Sequence, residues 1–586
     1  MLFLYPIVFA GLYLLYTSYC LGINYRAAKR IGVPIVIVPV SPENPIWMLT
    51  GNRIASFVEF LFGESHFTRF SIRGWVYYDK NRAALELGDH FVFVTPGKIW
   101  FYVCNPDTLN EVIHRFHDFP RPTEILAMLD VFGPNVSTVE GAEWQRQRKI
   151  TSGPFNEQNS KLVWSESIRQ AQDVLMFWTS QKAPITRSAN HIRTLSLHVL
   201  SCAGFGKSYS FQKAGEPPKP GHLFNYRDAL AHVLDHIMLI LVVGPRLLTS
   251  RYLPKHLQSI GQATLDFKAY MKDMYDEEKQ ALADSRQASA NIMTSLIHAT
   301  GEVDGGPTSK HARGLSESEV YGNTFVYNFA GHDTTAITFG WTLYLLAAHP
   351  EVQEWIGEEI DEMIKDDDLS KVEYCEAFPR MKRCLAVMVC MPTLAFGNEN
   401  VETATMVFAD QNIQLEVLRL YNPLPGIIKS TGEIPRDLTI DGKTVTIPAG
   451  ARVNLHTDAI HTHPQYWGSD AMNWRPKRWM LHSNGEIPKV GNESLISPQK
   501  GTYAPWSGGP RICPGKKFGQ VEFVAVVATL FKNHRVQVVP NHGESEECAR
   551  ARAMATVKDS AMVLLLQMVK PEQIGLRWVT KAPRSA

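Results

Sequence analysis

One cysteine held in a rigid turn constrains this chain more than any other feature. The segment Trp506-Ser-Gly-Gly-Pro-Arg-Ile-Cys513-Pro-Gly515 sets Cys513 among Gly and Pro, with Arg511 two positions before it. The run directly after it, KKFGQVEFVAVVATLF, reads as an apolar helix. Gly permits unusual φ and close backbone approach. A helix N-terminus offers free N–H groups and the positive end of the dipole. Both favour a thiolate at Cys513, and such a thiolate can ligate haem iron. A lone cysteine in a turn would otherwise be a buried structural residue. The other cysteines are Cys20, Cys104, Cys202, Cys375, Cys384, Cys390 and Cys548. None forms Cys-x-x-Cys, which removes the simplest support for a zinc ribbon or a thioredoxin-type motif. So few in 586 residues also argue against a disulfide scaffold and for a reducing compartment.

WSGGPRICPG resembles the haem loop of the cytochrome P-450 superfamily, Phe-x-x-Gly-x-Arg-x-Cys-x-Gly. Gly509, Arg511, Cys513 and Gly515 match, and Trp506 stands in place of Phe, where an indole still covers the thiolate side of haem. The resemblance implies Cys513 as axial ligand to the iron of haem b, with the other four binding the cofactor. A long apolar helix, from about Ser318 to His349, carries Ala330-Gly331-His332-Asp333-Thr334-Thr335. Gly costs about 1 kcal/mol against Ala inside a helix, and Thr can back-bond and bend it. The pattern resembles the family's oxygen-binding helix, which implies local widening and a proton relay through Asp333 and Thr334. Trp144-Gln-Arg-Gln-Arg148 is similar to the family's Trp-x-x-x-Arg. Trp144 and Arg148 share one helix face, so both could reach a haem carboxylate, whereas Arg146 lies on another face. Glu416-Val-Leu-Arg419 would by itself be a surface pair worth a few tenths of a kcal/mol. With Asn473-Trp-Arg-Pro-Lys-Arg478-Trp479 it resembles the family's buried triad, which implies structural roles for Glu416, Arg419 and Arg478.

Residues 2–22 are uncharged and apolar, about the length that crosses roughly 30 Å of hydrocarbon, and Arg26, Lys29 and Arg30 follow at once. They read as one transmembrane helix with the downstream chain in the cytosol; a cleaved signal peptide is the other reading, without a basic n-region to support it. Residues 1–25 are thus a membrane anchor, and 26–49, with Pro34, Pro39, Pro42 and Pro45, a stiff connector. Residues 50–586 form the catalytic domain. Within it, WVYYDKN and DHFVFVTPGKIWFYVCNP read as strands, about 107–350 as helices, and LTIDGKTVTIPAGARVNL as strands again. The class is mainly α with small β-sheets, and the resemblance implies the cytochrome P-450 fold. Asn135-Val-Ser and Asn492-Glu-Ser match a glycosylation pattern that would stay unmodified in the cytosol.

One stretch interrupts the pattern. Joining Met388 to Leu415 gives RMKRCLAVM–LEVLRLYNP, a single amphipathic helix; instead 389–414 intervenes, with Pro392, Gly397, Asn398 and Asn400. Val389-Cys390 can be encoded like a fungal intron start and Gln414 like its acceptor end. The stretch reads as an atypical insertion from a retained intron; a true surface loop would cut the helix that positions Glu416.

The formal net charge of +1 gives no reason to expect nucleic acid. The resemblance implies a haem-thiolate monooxygenase that inserts one oxygen atom from O2 into a lipophilic small molecule, with electrons from NADPH through a separate flavoprotein reductase. It also implies a single-pass endoplasmic reticulum protein, with a role in fungal terpenoid or polyketide tailoring. Two rivals stand beside it. One is an isomerase or dehydratase needing no external electrons, which Asp333 and Thr334 argue against. The other is an inactive haem-binding membrane protein, if 389–414 is translated.

Overall fold

The computed structural model describes residues 4–211, 217–284, 291–300, 314–365, 369–388, 416–481, 490 and 493–581. The stretch 389–414 and Asn492 lie outside them. Helices dominate, as expected, and the described sheets are one of five strands and four two-stranded ribbons. The large sheet contains β1 (Ile35–Ile37), β2 (His90–Val94), β3 (Ile99–Val103), β4 (Ile427–Ser430) and β7 (Arg452–Leu455), in the order β1-β2-β3-β7-β4. β5 (Arg436–Ile440) and β6 (Lys443–Ile447) form a separate hairpin. The Pro-rich stretch therefore contributes to the body: β1 pairs in parallel with β2, and Val36 and Val38 are buried.

WVYYDKN is not a strand. Trp75–Asp79 forms a short helix after Gly74, which sits in the left-handed region at φ 79°. Aromatic and branched residues favour strands only where a pleated surface receives them. Here Trp75 instead packs on the sheet, 4.9 Å from the Phe93 ring and 5.1 Å from that of Tyr102, and Asp79 pairs with Arg69 at 2.5 Å.

The first helix, α1 (Leu4–Lys29), forms where expected, but the described residues do not support its reading as a span. No described helix is long and apolar enough to cross a membrane. Tyr13, Tyr16, Thr17, Ser18, Tyr19 and Asn24 dilute the run, and its last turns pack on the body through Leu21, Ala27 and Ala28. Asn135 is fully buried and donates to Leu129 O at 3.0 Å, so it presents no acceptor for a glycan.

The haem-side architecture rests on α3 (Gly141–Ser152), α4 (Glu157–Ser180), α5 (Ser188–Phe205), α6 (Glu317–Ala348) and α9 (Lys516–Lys532). Among the helices between α6 and α9 are two short ones, α7 (Lys382–Met388) and α8 (Glu416–Leu420), which pack on each other. α6 begins with a capping box between Ser316 and Glu319. Apolar around most of its circumference, it runs through the core, as does α9. From Val320 to Ala348 every residue of α6 is buried except Ala330, Gly331 and Thr334.

Candidate active site

The Cys513 loop is fixed by its own backbone. Cys513 N–H donates to Trp506 O at 3.0 Å, and Lys516 N–H to Cys513 O at 3.4 Å. Gly509 has φ +57°, and a Cβ there would lie 3.2 Å from Ile113 O, so both strain and crowding select Gly. Gly515 has an ordinary φ of −82°; a Cβ there would sit 4.0 Å from Cys513 Sγ, so its lack of a side chain keeps space beside the sulfur. Burial pushes the Cys513 thiol up, against the Gly515 N–H and the charges of Arg148, Arg121 and Lys516. The Gly515 N–H and these charges favour the thiolate, as the sequence suggests, while burial opposes it. A metal cation bound to the sulfur would deprotonate it outright.

Beside the loop stands an excess of positive charge. Arg148 Nη2 donates to Ile512 O at 2.7 Å, tying α3 to the cysteine loop. The Arg511 guanidinium lies 3.8 Å over the Trp144 ring and pairs with Glu140, yet its buried Nη1 has no partner. Burial and neighbouring Arg121 push Arg511 down to about 10. Lys429, on β4, is buried and pushed down to about 7 by desolvation, then by Arg121 and Arg511. Burial also pushes Arg121 down, and only Glu140 and Cys513 oppose it. Four cations thus face one carboxylate. An orphaned guanidinium N–H and desolvated cations are what a ligand with two carboxylates, such as haem, would satisfy, so the residues present fit that cofactor. Arg146 is directed elsewhere, into ion pairs with Glu319 and Glu143.

On the other side, α6 remains an unbroken α-helix through Ala330–Thr335. The expected widening at Gly331 is absent; a Cβ there would come 2.9 Å from Leu200, so this Gly admits α5. Thr334 Oγ1 donates to Ala330 O at 2.8 Å. Asp333 accepts from Arg193 Nε at 2.8 Å, and Arg193 Nη2 donates to Gln567 Oε1 at 2.8 Å. A Cβ on Gly519 would lie 3.7 Å from Thr335 Oγ1 and 3.6 Å from Trp506, which places this turn of α6 over the start of α9 and the cysteine loop.

Glu416, Arg419 and Arg478 are brought together. Arg419 holds Glu416 through two bonds, 2.8 and 2.9 Å, and Arg478 Nε donates to Glu416 Oε1 at 2.9 Å. Trp479 Nε1 and the Arg475 N–H complete the carboxylate at 3.0 and 2.8 Å. Arg419 Nη1 donates to His461 O and Ala471 O. Such full pairing is what makes a buried charge tolerable. Sequence reasoning missed Arg121, Lys429 and Arg193. A lone charge in the apolar strand IIKS, and a lone Arg between Pro120 and Pro122, were the available signals; Arg193 had none.

The family model described as Cytochrome P450 matches residues 65–385 and 401–564, passing over 386–400. A cytochrome P450 monooxygenase of Arthrobotrys oligospora is 28% identical over 96% of this chain and 96% of its own. The phomenoic acid biosynthesis cluster cytochrome P450 monooxygenase of Leptosphaeria maculans is 28% identical over 88% and 89%. A third from Penicillium rubens is 28% identical over 90% of both chains. With the cysteine loop, the cationic cradle and the α6 turn assembled as described, the chain belongs to the cytochrome P-450 family and is a monooxygenase.

Proposed function

We propose that the chain oxygenates a lipophilic small molecule in fungal secondary metabolism, with Cys513 as the residue that would ligate the iron of haem b. Haem supplies the oxygen-activating chemistry when bound. Arg121, Arg148, Lys429 and Arg511 would hold its two carboxylates, Trp144 backs Arg511, and Trp506, Gly509 and Gly515 shape the loop around the sulfur. Thr334 presents a hydroxyl to the reacting oxygen, and Asp333 feeds it protons from the Arg193–Gln567 side. Glu416, Arg419 and Arg478 lock the core beneath. Electrons come from NADPH through a separate flavoprotein reductase. The named cluster of the Leptosphaeria relative supports secondary metabolism, with a terpenoid or polyketide as substrate class. α1 anchors the protein to the endoplasmic reticulum membrane with the catalytic body in the cytosol, and 389–414 is an atypical insertion, of which the family model passes over 389–400.

The observation that carries this reading is the opening in α6. Of its buried length, only Ala330, Gly331 and Thr334 remain accessible, and the next residue, Thr335, borders the helix that Cys513 precedes. The test is the carbon monoxide difference spectrum of the reduced protein, with Cys513→Ser beside it. The thiolate signature should be present in the parent and absent in the variant, because a hydroxyl is a far poorer iron ligand. An unchanged spectrum in Cys513→Ser would overturn the assignment.

A further inference from the structure

A cavity of about 250 Å³ lies between α5 and the helices Tyr226–Asp235 and Lys255–Ala283. None of the residues placed at the haem side lines it, and α1, α2 (Pro45–Phe62) and the large sheet contribute nothing to it among the described residues. Its wall is aromatic. The Tyr209 ring lies 5.4 Å from the His198 imidazole and 6.5 Å from the Tyr226 ring, and Tyr226 lies 6.1 Å from Tyr270. The hydroxyls of the two buried tyrosines are committed elsewhere: Tyr226 donates to Asn328 Oδ1 on α6, and Tyr270 donates to Phe224 O at 3.2 Å. Both therefore offer the cavity ring carbon rather than polar groups. One buried polar atom stays available. His198 is 6% exposed, and its Nδ1 lies 3.3 Å from Gln170 Oε1. Gln170 Nε2 donates to Glu166 and to Tyr209 O, which fixes the amide oxygen on the His198 side. The ring proton is thereby assigned to Nδ1, and Nε2 is an acceptor with no hydrogen-bond partner among the described residues. Burial, then Arg227 and Arg169, push this imidazole down to about 4, so it is neutral near pH 7.

We infer that this cavity is a second ligand site, which takes a small neutral aromatic molecule bearing one N–H or O–H donor, its ring among Tyr209, Tyr226 and Tyr270 and its donor on His198 Nε2. Three observations select that class. The volume falls just below the roughly 300–1,000 Å³ of sites for drug-sized ligands, which suits one or two fused rings. A desolvated acceptor without a partner penalises an occupant that cannot donate to it and rewards one that can. The rim gives no net pull on an ion, because its charges are paired: Lys219 donates to Asp273 at 2.7 Å, Arg227 to Asp228 at 2.8 Å, and Lys207 pairs with Glu277. The site goes beyond the monooxygenase reading and bears on it. An occupant rests against Tyr226, which holds Asn328 of α6, and Asn328 O accepts from His332 Nδ1 at 2.6 Å, one residue before Asp333. The ligand is therefore an effector of the oxygen-side helix rather than the molecule oxidised.

The test uses the haem-loaded full chain with its iron occupied by an azole inhibitor, verified by the Soret shift, so that the haem side is closed to the probe. Radiolabelled indole is the probe, in equilibrium dialysis. Saturable binding of a single equivalent is expected to persist. 1-Methylindole, of similar shape but without the N–H, should bind about tenfold more weakly, the loss expected for a buried acceptor left unpaired. His198→Asn keeps a donor toward Gln170 and lacks the outer acceptor, so it should weaken indole by about tenfold and leave 1-methylindole unchanged. Tyr209→Ala, at a half-buried ring whose loss spares the core, should weaken both probes. Each variant is first checked for unchanged haem content. Absence of saturable indole binding in the azole-blocked parent would overturn the site. Unchanged indole affinity in both His198→Asn and Tyr209→Ala would place the probe elsewhere and overturn it equally. Equal affinity of the parent for the two probes would overturn the role of His198.

Discussion

Arg193 holds Asp333 between two duties. Its Nε binds the carboxylate and its Nη2 binds Gln567, on the strand Leu566–Met568, so the acid is steered toward the protein exterior while the neighbouring Thr334 faces the accessible side of α6. The pair is partly solvated, so its direct worth to stability is about 0–1 kcal/mol, and its effect belongs in catalysis. Arg193→Gln should leave haem content intact and lower product formed per NADPH, with Arg193→Lys recovering part of the loss. Thr334→Ala should produce the same uncoupling more strongly, severalfold, with peroxide appearing in place of product, because the role proposed for the hydroxyl, orienting a proton donor, follows the binding of oxygen and substrate. Stoichiometry of NADPH, peroxide and product decides both; full coupling in Thr334→Ala would leave that residue as a helix residue and nothing more. These residues were unequally legible. Asp333 and Thr334 sit together in a short motif, whereas Arg193 is 140 positions away and meets Asp333 only through the packing of α5 on α6. Arg121 and Lys429 likewise converge on Arg511 from different segments, so no local pattern announces the cradle.

α9 carries a second buried carboxyl that the mechanism does not use. Glu522 is fully buried, no charged group pairs with it among the described residues, and burial pushes it up to about 8, with only the Ser196 hydroxyl opposing. In the unfolded chain the same group ionises near 4.5. Between those values the unfolded state releases a proton that the folded state keeps, so stability falls as pH rises through this window and levels off above it. The steepest slope from one such group is on the order of 1.4 kcal/mol per pH unit. Glu522→Gln removes it: the variant should match the parent near pH 4.5 and gain stability over it progressively toward pH 8. Denaturant midpoints at several pH values read this directly, and a constant difference across the window would refute the neutral acid. The elements themselves were largely readable. α6 and α9 are long apolar runs, and the β5–β6 hairpin is announced by Asp441-Gly442. The failures are the ones where tertiary packing overrides local preference: Trp75–Asp79 turns helical because its aromatic residue is received by the sheet, and Ile35–Ile37 becomes a strand because β2 supplies a partner that a run of prolines gives no hint of.

The pairing of α7 with α8 brings together two segments that stand apart in sequence. α7 is described to Met388 and α8 from Glu416; the two pack together, and Leu385, Val417 and Leu420 are buried in one core. Closing the chain from Met388 to Leu415 brings Leu385, Met388, Val417 and Leu420 three residues apart in turn, so that successive pairs are neighbours on one helix. It also gives the N–H groups of Glu416, Val417 and Leu418 the carbonyls of Ala386, Val387 and Met388 as i−4 partners. An intervening segment of this length separates those donors in sequence from the carbonyls that a continuous helix would offer them. The ends of the interruption must also be held together against the entropy of the intervening chain. The element that bears this is the one holding Glu416 against Arg419 and Arg478, all three buried, where losing one partner costs about 3–5 kcal/mol, much of a domain's net stability. Deleting 389–414 should therefore raise the ratio of haem absorbance to protein and raise the unfolding midpoint, whereas a substitution such as Glu416→Gln should lower both in either background. Transcript reads joining codon 388 to codon 415 would establish the shortened chain as the natural one. Equal haem loading with and without the segment, together with a peptide from inside 389–414 in protein from the native source, would show instead that the fold carries a tolerated loop at its most heavily paired joint.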